Sequence, residues 1–431
     1  MSLEFDAEWV AGPPGSHPEE FAALARLRVV LADSTLTRNM DRVRGMTRER
    51  LNVAMAPLAE GLATSWWPLL YEPRRAAASR DVDADFEGRH RLDALVAGFV
   101  FPPLRVASMG AESVLVEGLA QDAADRAISR LELIPGTVGR PVEVAREDVE
   151  GALAEVVVGT LSRLGGSSAG ARLADAWSRV SASLADLVER AFCESAGRLG
   201  LDPYDPEVPD LARLADGLSD RLFADVCEAA LPEEVSEAAR FAQEQVMRLP
   251  GGQVVDLGAL GAPPSPDLSR QAWRDGYEAA RLARERLTGS QDDLASADVA
   301  SRWLPPTSAG HIEVRDWQPV EGLARRIDAR ARVVVAGRSD AQRRFRVARS
   351  AYIAWSAPPG QDFALTVART RVQQASRAFA AEWLAPAALL RSHAAGRRGL
   401  SQDDVEELAA RQGCDPQVIR DQAYNHGIGL R

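Results

Sequence analysis

Apolar residues recur along this chain in two rhythms, and together they predict an α+β protein that is predominantly helical. Residues 1–165 combine short alternating runs, such as "LEFDAEWV", "LARLRVVLAD" and "SVLVEG", with helical stretches. Residues 171–249 repeat apolar positions every three or four residues, which is typical of amphipathic helices. The sequence therefore predicts an N-terminal module of mixed strands and helices, followed by a helical module.

The second half of the chain opens with a stretch rich in proline and glycine, "LPGGQVVDLGALGAPPSPD". This composition predicts an interdomain linker at residues 250–268. A helix, two strands ("HIEVRD" and "ARARVVVAG") and a run of helices are predicted after it. Residues 269–431 would thus form a third domain with a small sheet.

The helix "DAQRRFRVARSAYIAW" in that domain has one clear apolar face. Phe345, Ala348, Tyr352 and Trp355 follow each other at three- and four-residue spacings. The pattern alone predicts a core helix with an arginine-rich face toward solvent.

Residues 400–431 predict a closing pair of helices that resembles a helix-turn-helix. Ser401 is suited to the N-cap of the first helix and Gly413 to its end, while Asp415 and Pro416 are suited to the start of the second. The second helix, "PQVIRDQAYNHG", offers arginine and amide side chains that could read DNA bases, but the first is acidic and would repel phosphates. Packing on the domain core is the favoured interpretation, and DNA contact is the alternative.

Composition excludes several classes of protein. All 51 basic residues are arginine, so a Walker A lysine and lysine Schiff-base chemistry are ruled out. The three cysteines are far apart and predict neither a disulfide framework nor a metal pair. No apolar run reaches membrane-spanning length and no secretion signal is recognisable, so we expect a cytoplasmic protein, bacterial by its composition, with no membrane association.

The charge is unevenly distributed. The whole chain has a net charge of −11, whereas residues 325–398 contain 15 arginines against four acidic residues, a net charge of +11. This basic segment could bind an anion or an acidic part of the protein itself.

Three segments of the last domain, taken together, resemble the ImmA/IrrE family of zinc-metallopeptidase-like proteins. "RRFRVARSAYI" (343–353) matches the family's HExxH helix in frame, "AFAAEWLAP" (378–386) matches its second helix, and "LSQDDVEELAARQGCDPQVI" (400–419) matches its closing helical pair. The resemblance implies a zincin-like domain. It also implies a partner that is a repressor-type protein, a toxin or a defence component.

By the same resemblance, the residues at the family's metal-binding positions are ones that cannot bind a metal. Arg349 stands at the first zinc histidine, Ser350 at the general-base glutamate and Ile353 at the second histidine, while Gln373 and Gln374 stand near the acidic ligand. Arginine has no free lone pair and isoleucine cannot coordinate a metal. The chain is therefore identified as a degenerate member for which we predict no catalytic residue, no metal and no other cofactor.

Other uses of this region remain open. Arg344, Arg346 and Arg349 could form an anion or partner site, although an internal salt bridge of Arg349 is favoured. An active peptidase would need irregular ligands drawn from Gln373, Glu382, His393 and His426. We expect Glu382 to lie on an exposed helix face, which disfavours that alternative.

Adjacent Trp66 and Trp67 in the N-terminal module could anchor a partner protein, although such tryptophans more often lie in a core. The expected function is that of a pseudopeptidase that acts as a regulatory or interaction protein in a stress, mobile-element or antiphage context. The alternatives are an active metallopeptidase that cleaves a repressor-type protein, and a DNA-binding regulator.

Overall fold

The computed structural model describes residues 2–11, 22–75, 80–96, 100–121, 129–134, 138–289, 303, 311–312 and 319–431. The chain forms two compact units, Met1–Leu211 and Ala212–Arg431. The predicted fold class is confirmed, since both units mix antiparallel strands with a larger share of helix.

In the described part of the first unit, the strands form three antiparallel sheets. In the first, β1 (Leu3–Trp9) and β3 (Ser34–Thr35) flank β2 (Leu24–Leu31), which also pairs with β6 (Leu51–Ala54). The second has the order β5 (Met46–Arg48), β4 (Asn39–Asp41), β9 (Leu131–Leu133), and the third β10 (Val142–Ala145), β8 (Ser113–Gly118), β7 (Leu104–Ser108).

The helices of the first unit surround a core of aliphatic and aromatic side chains. Among the described residues they are α1 (Met55–Thr64), α2 (Trp66–Tyr71), α3 (Arg80–His90), α4 (Leu92–Leu95), α5 (Arg146–Leu164), α6 (Ser168–Ala185) and α7 (Leu187–Arg198). The sequence of residues 57–71, "PLAEGLATSWWPLLY", predicts one helix with a kink at Pro68. The helix instead ends at Thr64, because Pro68 has no N–H to donate to the carbonyl of that residue.

Trp66 and Trp67 belong to the core of the first unit, each only 1% exposed. Trp66 meets the Trp177 ring edge-on at 5.1 Å, and the indole Nε1 of Trp67 donates to the Tyr204 hydroxyl at 3.0 Å. The suggestion that these two side chains anchor a partner is therefore wrong, since the packing of α2 leaves neither of them accessible.

The second unit contains a sheet of order β11 (Gln253–Asp256), β14 (Arg330–Ala336), β13 (Val320–Ile327), β15 (Asp362–Thr366). These four strands are antiparallel neighbours, while β12 (His311–Ile312) pairs parallel to β14. The described part of this unit contains the helices α9 (Asp220–Ala229), α10 (Val235–Arg248), α11 (Ala272–Thr288), α12 (Asp340–Ser356), α13 (Arg371–Leu384), α14 (Ala387–Ala394), α15 (Gln402–Gln412) and α16 (Pro416–Asn425). The boundary between the units falls inside α8 (Leu211–Leu214).

The domain boundaries differ from the predicted ones. The expected helical module at residues 171–249 is divided, because α6 and α7 belong to the first unit while α9 and α10 contact β15 and β13 of the second. The predicted linker 250–268 contributes the edge strand β11 and buries Val255, Leu257 and Leu260. Helical periodicity reveals an apolar face, but it does not identify the element that covers this face.

Besides β11, two strands of the second unit were not predicted. In β13, "VEGLARRI", a glycine and two arginines obscure the alternation, and β15, "DFALT", is short and continuously buried. The predicted strand "HIEVRD" is present as β12 at its first two residues, and its remainder lies outside the described residues. No helix in the described part of the chain is long and apolar enough to cross a membrane.

Candidate functional site

Arg349 lies in the middle of α12 with 3% of its surface exposed. Its guanidinium donates from Nε to the Ser376 hydroxyl at 3.2 Å, from Nη2 to the Thr366 carbonyl at 2.8 Å and to Gln373 Oε1 at 2.9 Å, and from Nη1 to Glu321 Oε2. The predicted solvent-facing arginine face is therefore wrong at this position. An arginine inside the fold must find fixed acceptors, and β13, β15 and α13 supply them.

Glu321 on β13 is shared between two arginines of α12. Its Oε1 accepts from Arg346 Nη2 at 2.7 Å, while Oε2 accepts from Arg349. Burial alone would raise the pKa of this carboxyl group, but the charges of Arg349 and Arg346 lower it, so Glu321 is ionised at neutral pH. We call Glu321, Arg346, Arg349, Gln373 and Ser376 the arginine centre.

Gln373 on α13 is oriented by its own hydrogen bonds. Its Oε1 accepts from Arg349 and from the backbone N–H of Thr366 at 3.2 Å, and its Nε2 donates to the Ala364 carbonyl at 2.8 Å. A carboxylate at this position could not make the donated bond. The side chain suits an arginine neighbour rather than a metal ion.

The arginine centre does not fit the zinc ion that the resemblance to ImmA/IrrE implies. A zinc ligand needs a free lone pair, which the Arg349 guanidinium lacks and the Ile353 side chain cannot provide. Ser350 is buried beside them, and its hydroxyl has no hydrogen-bond partner among the described residues. A hydroxyl without a neighbouring base is not an activated nucleophile or a general base.

Arg344 does not belong to this centre. Its Nη1 donates to the backbone carbonyl of Gln412 at 3.0 Å, at the end of α15. Burial lowers the pKa of its guanidinium. Of the three arginines proposed for an anion site, the fold brings together only Arg346 and Arg349.

Glu382 forms a second buried network on α13. It is 0% exposed, so the expectation that it lies on an exposed helix face is wrong. Arg284 Nη2 donates to its Oε1 at 3.2 Å and Gln422 Nε2 to its Oε2 at 3.0 Å, and Arg281 Nε donates to Oε1 at 3.3 Å. The close packing of α11 on α13 covers this side chain, which sequence periodicity on α13 alone did not reveal.

The proposed irregular metal ligands do not meet at one point. His426 Nε2 lies 3.7 Å from Glu382 Oε2, and burial lowers the pKa of this histidine. His393 instead contacts Asp404 at 3.3 Å, and Gln373 is held in the arginine centre. In the part of the chain that the structure describes, no three His, Cys, Asp or Glu side chains are grouped to hold a metal ion.

The terminal helical pair has the predicted boundaries. Ser401 caps α15 in a capping box with Asp404, Gly413 ends that helix with φ 63°, and Asp415 caps α16 with Pro416 at its first position. Gln422, one of the amides that could have read DNA, is fully buried against Glu382 and Tyr277. Its burial agrees with the packing interpretation of this pair.

A cleft of about 600 Å³ opens between α11, α12, α13 and α16. Three aromatic side chains line it, from Trp273, Tyr277 and Phe345, and Arg377 of α13 supplies a positive charge. We call it the aromatic cleft. Arg377 was not among the predicted site residues, although its position among small residues in "ASRAFAAEW" was a signal that it lies partly inside the fold.

No protein-family model matches this chain, and neither does any curated protein or solved structure. The resemblance to the ImmA/IrrE family therefore depends on the residues of α12, α13 and the terminal helical pair alone.

Proposed function

We propose that the second unit is a degenerate ImmA/IrrE-like pseudopeptidase, and that the protein acts in a bacterial cytoplasm by binding a partner protein. In this proposal a scaffold related to zinc peptidases is retained, while its metal chemistry is lost. A repressor-type protein, a toxin or a defence component is the class of partner that the resemblance suggests.

The observation that carries the proposal is the position of the Arg349 guanidinium. In the proposed correspondence Arg349 stands for the first metal ligand and Gln373 stands near the acidic one, and the guanidinium is bonded to Gln373, Glu321, Thr366 and Ser376. In this proposal the guanidinium takes over the positive charge that a metal ion would supply, and its acceptors replace the hydration that it loses on burial. It cannot activate water as zinc does.

Purification of the full chain from its own host, without chelators or a histidine tag, tests both parts of the proposal. We expect no stoichiometric zinc by plasma mass spectrometry. We also expect one protein partner that co-purifies near one to one and stays bound in the presence of a chelator.

Zinc near one per chain would contradict the loss of metal chemistry. Absence of a partner across growth and infection conditions would contradict the binding role. Chelator-sensitive binding would contradict the proposal as a whole, because it would make a metal part of the interface.

A further inference from the structure

We infer that the aromatic cleft binds a small monoanion, a carboxylate attached to an aromatic body, with Arg377 as the residue that receives the carboxylate. This goes beyond the proposed function, because it concerns a ligand of metabolite or peptide-terminus size rather than the partner protein. It stands on the geometry of the cleft whether or not the arginine centre replaced a zinc site.

Arg377 carries a charge that no described carboxylate neutralises by contact. Its Nη2 donates to the carbonyl oxygens of Thr366 at 3.2 Å and Ala368 at 2.8 Å, and both acceptors are neutral. The nearby carboxylate, Glu321, has its two oxygens bonded to Arg346 and Arg349. Arg377 lines the cleft and its hydrogen bonds to described residues come from Nη2, so we assign the Nη1 group to an acceptor that enters the cleft.

Its surroundings favour an incoming negative charge. Burial, and then the charge of Arg349, lower the pKa of Arg377 to about 9, so the guanidinium remains charged at neutral pH while its charge is poorly compensated. An anion placed beside a partly desolvated guanidinium relieves this cost and forms a charge-assisted hydrogen bond. Arg377 thus supplies both an electrostatic attraction for an anion and a hydrogen-bond donor.

The aromatic side chains define the body of the ligand. Trp273 is 39% exposed and meets the Tyr277 ring at 5.4 Å, while Phe345 lines the cleft from α12. The Tyr277 hydroxyl is already bonded to Gln422 and Asn425, so this ring offers mainly its apolar surface. A flat apolar ring fits such walls better than a sugar or a phosphate ester does.

Size and charge restrict the ligand further. A volume of about 600 Å³ lies in the range of small-molecule sites. Arg377 is the only cation among the described lining residues, and Asp421 of α16, which accepts a hydrogen bond from Gln417 at 2.8 Å, also lines the cleft. The single cation can pair with one carboxylate, and the negative charge of Asp421 disfavours a more highly charged ligand such as a phosphate dianion.

Calorimetric titration of the full chain with N-acetylphenylalanine and its uncharged amide tests the inference. We expect the acid to bind at least about tenfold more tightly than the amide, because only the acid forms the charged hydrogen bond. Acetate, which lacks the ring, and inorganic phosphate should bind much more weakly than the acid. A short peptide that ends in phenylalanine with a free carboxylate distinguishes the two sources of this chemistry, since it should bind more tightly than the single residue only if the natural ligand is a peptide terminus.

Variants locate the site. Arg377→Gln should lower the affinity for the acid about ten- to a hundredfold, and Trp273→Ala about three- to tenfold. Arg411→Gln removes the same charge from an exposed position outside the cleft and should leave the affinity unchanged.

Equal affinity for acid and amide would overturn the inference, and so would full affinity in the Arg377→Gln variant. If that variant does not fold, the comparison of acid with amide on the unchanged protein still decides the matter. Zinc content does not enter any of these results, so failure here is distinct from failure of the proposed function.

Discussion

Arg349 and Glu321 depend on each other because the arginine is buried and the side chain of Glu321 is only 15% exposed. A buried charge is tolerated only when partners replace its hydration, and removing one member of a buried pair leaves the other uncompensated. Arg346 contributes a second positive charge to the same carboxylate. Removing the Glu321 carboxylate would therefore leave two arginines without their acidic partner.

Glu321→Gln should therefore destabilise the protein by about 3–5 kcal/mol, a cost typical of a broken buried pair. Urea unfolding followed by circular dichroism measures this difference. Glu407→Gln, a charge removal at an exposed position of α15, is the matched control and should change the free energy of unfolding by less than about 0.5 kcal/mol.

The destabilisation caused by Glu321→Gln should decrease as the pH falls. The pKa of Glu321 is lowered in the folded protein, so its stabilising contribution is complete above the unfolded value of about 4.3 and is lost as the pH falls through the folded value. The stability difference between the unchanged protein and Glu321→Gln should shrink on acidification. A difference that stays constant between pH 7 and pH 3 would show that the carboxylate does not carry this contribution.

At the scale of elements, the contact between α11 and α13 positions the buried residues of the second unit. Gly276 on α11 lies so close to α13 that a Cβ there would meet the Ala375 carbonyl oxygen, with the Ala378 Cβ 2.8 Å away. The same contact brings Arg284 to Glu382. A glycine in the middle of a helix is costly by itself, so its presence is explained by this close approach.

Gly276→Ala should destabilise the protein by about 1–3 kcal/mol, because the two helices must move apart, despite the better helix propensity of alanine. Gly151→Ala is the matched control, since Gly151 is also inside a helix but a Cβ there meets nothing within 4 Å. That variant should be neutral or more stable by up to about 1 kcal/mol. Equal effects of both substitutions on the melting temperature would contradict the close contact.

The elements differ in how well the sequence predicted them, and the difference is physical. The boundaries of α15 and α16 are encoded locally by Ser401, Gly413 and Asp415, whose caps act within a few residues. Strands β13 and β15 are fixed by their neighbours in the sheet, and the single-chain pattern of "VEGLARRI" carries little trace of that pairing. Glu321, the acceptor that defines the arginine centre, was missed for this reason.

For the whole molecule, two compact units could not be anticipated from a chain whose helical middle looked like a module of its own. The helices on either side of α8 belong to different cores. Only the tertiary contacts of α9 with β15 and of α10 with β13 show that these two helices belong to the second unit. The resemblance to ImmA/IrrE covers residues 269–431, whereas the second unit begins near residue 212. The role of the first unit is therefore not inherited from that resemblance.

Zinc binding measured by equilibrium dialysis and by zinc-dependent melting tests the central claim most directly. The unchanged protein should bind no zinc. A fourfold variant that restores the family's ligands and base should bind about one zinc and melt at a higher temperature with it; its substitutions are Arg349→His, Ser350→Glu, Ile353→His and Gln373→Glu. Ser350→Glu/Ile353→His/Gln373→Glu keeps Arg349 in place and should bind none. Zinc at about one per chain in the unchanged protein, or a restored variant that folds yet binds none, would contradict the view that Arg349 occupies a lost metal site.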